Sequence, residues 1–243
     1  MQFRTFQTEI NRAADRGLYE SWVYRGHASG TWLLESSYSR FFRGVYGSTT
    51  AYDVLPFQRM LARFTLLASE VLGDDLNQRP LLERMALAQH HGVPTPLLDW
   101  SHSPYVATYF AATDVSLTTL PNIQISIYAF EITHAVEPDK GDIRDSMLTS
   151  EEFLLFINGD RFFSRRLSRQ LGCFTYQNFL GSLMDWPRGA HSADFEVNVY
   201  KYEIDGPRRE IVRDLQLMGL TGGRLFDDLD YVARDVVQEE IIR

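Results

Sequence analysis

Cysteine is almost absent from this chain of 243 residues: Cys173 stands alone. A single thiol excludes an intramolecular disulfide and any zinc site built on cysteines. Long apolar runs are missing too, since no stretch approaches the roughly eighteen consecutive apolar residues that a membrane helix needs. The opening MQFRTFQTEINRAADRG lacks the apolar core of a signal peptide, so a cytoplasmic location with no membrane partner is expected. Positive charge is in deficit, with 24 Lys and Arg against 32 Asp and Glu, a net charge of -8. That balance excludes broad electrostatic binding to duplex nucleic acid; only Arg161, Arg165, Arg166 and Arg169 bring cations into one segment. No repeat, low-complexity tract or interdomain linker interrupts the chain. What is present, 44% hydrophobic and 23% charged residues, is the make-up of an ordinary globular protein with a real core.

The pattern along the chain predicts one α+β domain over residues 1–243. Residues 5–16 read as a surface helix capped by Thr8, and Tyr19 to Arg25 as a strand of aromatic and β-branched residues. Trp32-Leu33-Leu34 continues in extended form, and FFRGVYGSTTAYDVLP reads as a loop or short helix. Pro56 opens a long helix, with Phe57, Leu61 and Phe64 at helical spacing, that ends near Gly73. A second helix runs from Asn77 or Gln78 to Gln89, with Pro80 near its first turn. Leu97 to Ser101 reads as a short buried strand, and Ser103-Pro104 as the cap and first residue of a helix to Thr113. Ile123 to Ile132 is the clearest strand. EEFLLFI after Ser150 looks helical, Gly172 to Tyr176 and Phe195 to Ile204 look like strands, and helices follow from Pro207 to Met218 and Leu225 to Val237.

The chemistry concentrates between Met85 and Ala112. There a helix ends at Gln89-His90-His91, Gly92, Pro94 and Pro96 hold a turn, and the strand Leu97-Leu98-Asp99-Trp100-Ser101 follows. Prolines and a glycine restrict the backbone, so the flanking polar groups arrive at fixed places. Asp99 sits in an apolar surrounding that disfavours an unpaired charge, so it is expected to pair with Arg or His, or to accept backbone donors. Adjacent His90 and His91 face different ways on a helix and cannot serve one site. Even with His27 and His102 their spacing fits no metal motif, so no metal is expected. A neutral imidazole there can act as a base or bind a ribose hydroxyl. Trp100 is either a stacking surface or core, and Ser101 and Ser103 read as caps before nucleophiles. At a strand end, Arg25 beside Gly26 can reach a phosphate bidentately, the glycine letting the ligand approach the backbone; the alternative is an ion pair with Asp99.

These residues resemble the FRG domain family, named for a Phe/Tyr-Arg-Gly motif that is Tyr24-Arg25-Gly26 here. Further matches are Gln89 to Thr95 with Leu97 to Ser101 and the Ser103-Pro104 helix, Arg169 to Thr175, and Leu215 to Leu229, together spanning about residues 20–235. Pro96 stands where the family commonly has a basic residue. The motif order is similar to that of ADP-ribosyltransferases, which implies a mixed, mostly antiparallel sheet flanked by helices. In that fold the arginine holds a phosphate of NAD, the second strand supports the nicotinamide pocket, and a late glutamate contacts ribose. Gln170-Leu171-Gly172 falls at the late motif, with glycine where the second carboxylate would stand; Glu196, Glu203 or Asp99 are the candidates to replace it.

The resemblance therefore implies an enzyme acting on NAD as an ADP-ribosyltransferase or NAD glycohydrolase, of the kind that serves as a bacterial toxin or defence effector. Its catalytic residues would be Arg25, His90, Gln170 and Asp99, with Tyr24, Arg25, Gly26, Gln89, His91, Thr95, Trp100 and Ser101 around the nucleotide. A transferase also implies a protein or nucleic-acid acceptor. The alternatives are a non-catalytic nucleotide sensor or interaction module, and an RNA-cleaving toxin that uses the Arg161–Arg169 cluster.

Overall fold

The computed structural model describes residues 1–47, 50–117, 119–132, 153–158, 169–186, 198–226 and 229–242. Among them the chain order is α1 (Phe3–Asp15), β1 (Trp22–His27), α2 (Ser37–Tyr46), α3 (Leu55–Leu72), α4 (Leu81–His90), β2 (Leu97–Ser101), α5 (Pro104–Ala112), β3 (Asn122–Glu131), β4 (Leu154–Ile157), β5 (Gly172–Gln177), β6 (Val199–Pro207), α6 (Arg208–Leu217), α7 (Gly222–Phe226) and α8 (Leu229–Ile242). The strands form one six-stranded sheet in the order β4-β5-β2-β1-β3-β6. All of the pairings are antiparallel, so the α+β class holds while the expected parallel component of a mixed sheet is not found among the described strands.

Local chemistry explains most of the helix boundaries. Ser103 caps α5 by accepting from the Val106 N–H, and Pro104 occupies the first turn, where its missing N–H costs nothing. Pro56 opens α3, and Gly73 closes it in the left-handed region at φ 64°. Thr8 is not a cap: it lies inside α1 and donates back to the Arg4 carbonyl at 2.9 Å. The helix expected from Asn77 splits into a single turn, Leu76–Gln78, and α4, because Pro80 cannot continue a helix from the preceding turn. Trp32-Leu33-Leu34 lies in bends and irregular chain outside the sheet, and FFRGVY is fully helical within α2. The last expected helix is met by α7 and α8, on either side of residues 227–228, which lie outside the described residues. Leu154–Ile157 is a strand, not a helix: it pairs with β5 from Leu154↔Gln177 to Ile157↔Phe174, and a four-residue apolar run has no period that separates the two.

The register sorts side chains between the two faces. Cross-strand partners share a face and neighbours alternate, so Tyr24, Ser101, Asp99, Leu97, Phe174 and Tyr176 lie on one side. On that side Tyr24 and Ile123, Ile125, Ile127 and Ala129 of β3 pack against buried residues of α1, α5 and α6. Leu97, Phe174 and Tyr176 pack against α2, α3 and α4. The opposite face carries Val23, Leu98, Trp100, Tyr128, Phe130 and Cys173 under Leu34, Phe179 and Leu183. Two helical clusters thus cover two halves of one face, and the seam between them falls at β1 and β2.

Candidate functional site

That seam is open. β1 and β2 pair only at Tyr24↔Ser101, whereas β1 pairs with β3 along its whole length and β2 with β5 along its whole length. A cleft of about 1510 Å³ occupies the divergence, bordered by β1, β2, α4, α5, Gln170 and Phe226. Arg25 and His27 leave β1 on one face, while Asp99 leaves β2 on the other. They meet because the strands have parted.

Arg25 spans the gap. Its Nη1 donates to the Asp99 carbonyl at 2.8 Å, taking an acceptor that the short β1–β2 ladder leaves open, and lies 3.6 Å from Asp99 Oδ2. Its Nε donates to His27 Nε2 at 3.0 Å. A guanidinium has five N–H groups and no acceptor, so these bonds leave three without a hydrogen-bond partner among the described residues. Because Arg25 only donates, His27 Nε2 is unprotonated and the proton sits on Nδ1. Burial, reinforced by the neighbouring Arg25 charge, pushes the His27 pKa down to about 3 and keeps the ring neutral. His27 Nδ1 is buried and meets no partner at full hydrogen-bond geometry among the described residues, while the Trp32 backbone works against the fall in pKa. Burial lowers the Arg25 pKa as well, and the Asp99 charge opposes that.

Asp99 was expected in apolar surroundings; instead its side chain is 59% exposed to the cleft, because strand alternation turns it away from buried Leu98 and Trp100. It does pair with Arg25, and its Oδ2 accepts from Gln89 Nε2 at 2.7 Å. Gln89 in turn accepts from the hydroxyl of Thr95, which is fully buried behind it. Gln89 and Thr95 therefore orient Asp99, and Thr95 itself is out of reach of a ligand.

The other sequence candidates divide. Tyr24, Gly26, His90, Trp100, Ser101 and Gln170 border the cleft. His90 borders the cleft and His91 a shallow depression beside Phe64, yet the two rings do not face apart as expected: their centroids stand 4.9 Å from each other. Trp100 is 3% exposed, donates from Nε1 to Thr175 Oγ1 at 3.0 Å and packs on Phe130, which makes it a core residue in its main contacts. Ser101 Oγ donates to the Gln170 carbonyl at 2.7 Å and accepts from the Ser103 N–H, so it joins the late motif to the start of α5. Gln170 Nε2 reaches the Leu225 carbonyl at 3.3 Å. Gly26 has a packing reason that sequence did not show: a Cβ there would lie 1.9 Å from the Ala107 carbonyl oxygen of α5. Of the three residues named to replace the missing carboxylate, Asp99 borders the cleft, Glu203 pairs with Lys201 at 2.8 Å near Gly30, and Glu196 lies outside the described residues. Of the basic cluster only Arg169 is among the described residues.

Sequence reasoning missed Glu35, Arg40 and Arg43, which border the same cleft from α2 and its approach. Glu35 is 2% exposed; its Oε1 takes Arg43 Nη2 at 2.5 Å and its Oε2 accepts from Ser39 Oγ at 2.9 Å. Arg40 Nη1 donates to the Glu35 carbonyl at 2.8 Å. Only the Tyr38-Phe41-Phe42 spacing of α2 could have pointed here, by placing Arg40 and Arg43 off the apolar face.

Residues 20–118 match the family model of the FRG domain. The match takes in Tyr24-Arg25-Gly26, the tract from Gln89 to Ser101 and α5, and it supports the FRG family; the stretches 169–175 and 215–229 lie beyond it. No curated protein and no solved structure matches the chain significantly. Among the described residues no group of three or more His, Cys, Asp or Glu could hold a metal, and no helix is long and apolar enough to cross a membrane.

Proposed function

We propose that the cleft of this FRG-domain chain binds NAD or a related nucleotide, and that the chain acts on it as an ADP-ribosyltransferase or NAD glycohydrolase. One observation carries the reading: Arg25 is held at a parted strand seam with three N–H groups that have no hydrogen-bond partner among the described residues, facing a cavity larger than a single small ligand requires. The Asp99 carbonyl and His27 fix the guanidinium before a ligand arrives, which lowers the ordering cost of binding a phosphate. Phe110 and Phe226, in edge-to-face contact at 5.3 Å, give the same cleft an apolar wall for a flat ring.

In this reading the bond between ribose C1′ and the nicotinamide nitrogen breaks, and neutral nicotinamide leaves with the electron pair. The cation on ribose is captured by water or an acceptor hydroxyl, which then loses its proton. Asp99 is the exposed carboxylate held in place beside Arg25, so it is positioned to offset that charge, with Gln170 and His90 toward the ribose. Incubation with NAD should release nicotinamide, measured by chromatography, and Arg25→Met or Asp99→Asn should abolish the release in protein that melts normally. Absence of release from the wild type would refute the enzymatic reading.

One observation favours the alternative, a nucleotide sensor without catalysis. Gly172 pairs with Ser101 and offers no side chain where a second late carboxylate would stand. A sensor would bind NAD saturably, lose binding in Arg25→Met, and return the ligand intact.

A further inference from the structure

Three ionic side chains crowd the α2 side of the cleft, and they are not equivalent. The Glu35 carboxylate is committed on both oxygens, to Arg43 and to Ser39, and it is buried. Arg40, three residues before Arg43 and on the same helix, receives none of that charge. Its hydrogen bond goes to the neutral carbonyl of Glu35, and its side chain is exposed at the cleft. Arg25 enters the same cleft from β1 with most of its N–H groups lacking a hydrogen-bond partner among the described residues. Asp99, its ion-pair partner, stands at 3.6 Å and is shared with Gln89.

Two guanidinium groups on separate elements therefore face one cavity; of the carboxylates that line it, Asp99 is exposed and pairs with Arg25, Glu35 is committed to Arg43, and Glu83 and Asp114 are half-buried. The Arg40 charge is near enough to lower the pKa of both Arg25 and His27. Holding two cations together is unfavourable unless an anion sits between them. Each guanidinium presents a planar fork that matches two phosphate oxygens. A lone phosphate can satisfy one fork; two linked phosphates can satisfy both.

We propose that Arg25 and Arg40 form a two-guanidinium site for adjacent phosphates, so that the ligand of this cleft carries a diphosphate. Arg40 is then a binding residue in its own right, and mononucleotides are poor ligands. The inference rests on the reading of the cleft as a nucleotide site, and it deepens that reading by naming the group recognised.

The test uses the full chain and calorimetric titration at low salt with inorganic pyrophosphate and inorganic orthophosphate, and then with adenosine diphosphate and monophosphate. Wild type should bind pyrophosphate saturably, and about tenfold or more tighter than orthophosphate. Arg40→Gln should remove that preference, Arg40→Lys should restore part of it, and Arg213→Gln on α6 should change nothing. Because Arg40 is exposed, the thermal midpoint of Arg40→Gln should match wild type. Pyrophosphate that fails to bind, or that binds Arg40→Gln as it binds wild type, overturns the proposal. The two readings fail separately. A pyrophosphate site with no nicotinamide release discards NAD turnover and keeps the diphosphate site. Turnover that is indifferent to Arg40→Gln does the reverse.

Discussion

Gly26→Ala asks what the glycine of the Tyr-Arg-Gly motif is for. The added Cβ would stand 1.9 Å from the Ala107 carbonyl oxygen, 2.8 Å from its carbon and 3.0 Å from Ala111 Cβ. The nearest atom is helix backbone, which no rotamer change can move. Relief requires that α5 withdraw by about an ångström from β1. That helix is buried through Val106, Ala107, Thr108, Tyr109, Ala111 and Ala112, so withdrawal opens a gap along the larger core cluster. Overpacking of a tight core costs about 1–3 kcal/mol, and a clash with backbone belongs at the upper end. For a chain of this size about 3 kcal/mol corresponds to a melting point lower by roughly 6–12 °C. Urea unfolding followed by far-UV circular dichroism measures it. If instead the glycine exists only to admit a ligand, Gly26→Ala will lose ligand affinity and keep its stability; a destabilisation below about 1 kcal/mol would refute the packing argument.

Cys173 is fully buried and burial raises its pKa, so native protein should resist a thiol reagent that labels it promptly in urea; fast native labelling would contradict the placement. His27 is held neutral with a pKa near 3 against 6.5 for a free ring, so its contribution to stability is complete above pH 6.5 and is lost as pH falls toward 3. Between about pH 6.5 and 4.5 that loss is roughly 2–3 kcal/mol, and it should be missing from the pH dependence of His27→Gln; equal slopes would remove the assignment. Trp100→Phe strands the buried Thr175 hydroxyl and should cost about 1–3 kcal/mol in urea unfolding with little change in ligand affinity, whereas a loss of affinity alone would return Trp100 to the binding surface.

How far the sequence reveals this molecule depends on how local each signal is. The Ser103-Pro104 start of α5, the Gly73 stop of α3 and the strand Leu97–Ser101 are written in adjacent residues, and they stand where the pattern puts them. β4 could not be read, because Leu154–Ile157 becomes a strand through its long-range pairing with β5. The candidate site follows the same rule. Arg25 and Asp99 are conspicuous in their own segments, and an ion pair is one of the partners the sequence offers each of them. Nothing local shows that β1 and β2 part after Tyr24↔Ser101, which is what makes the cleft. Asp99 looked buried because its sequence neighbours are apolar, yet alternation within a strand turns it to the opening. Arg40 and Arg43 differ only through Glu35, whose burial is a tertiary fact.

The central claim is that Arg25 anchors a nucleotide in the cleft, and calorimetric titration of wild type and Arg25→Met with NAD tests it most directly. The account predicts saturable binding to the wild type at one site. In Arg25→Met, if its melting point is unchanged, affinity should drop by about tenfold or more, the worth of a charge-assisted phosphate contact. Equal affinity in the two proteins, or no heat of binding in either, would contradict it.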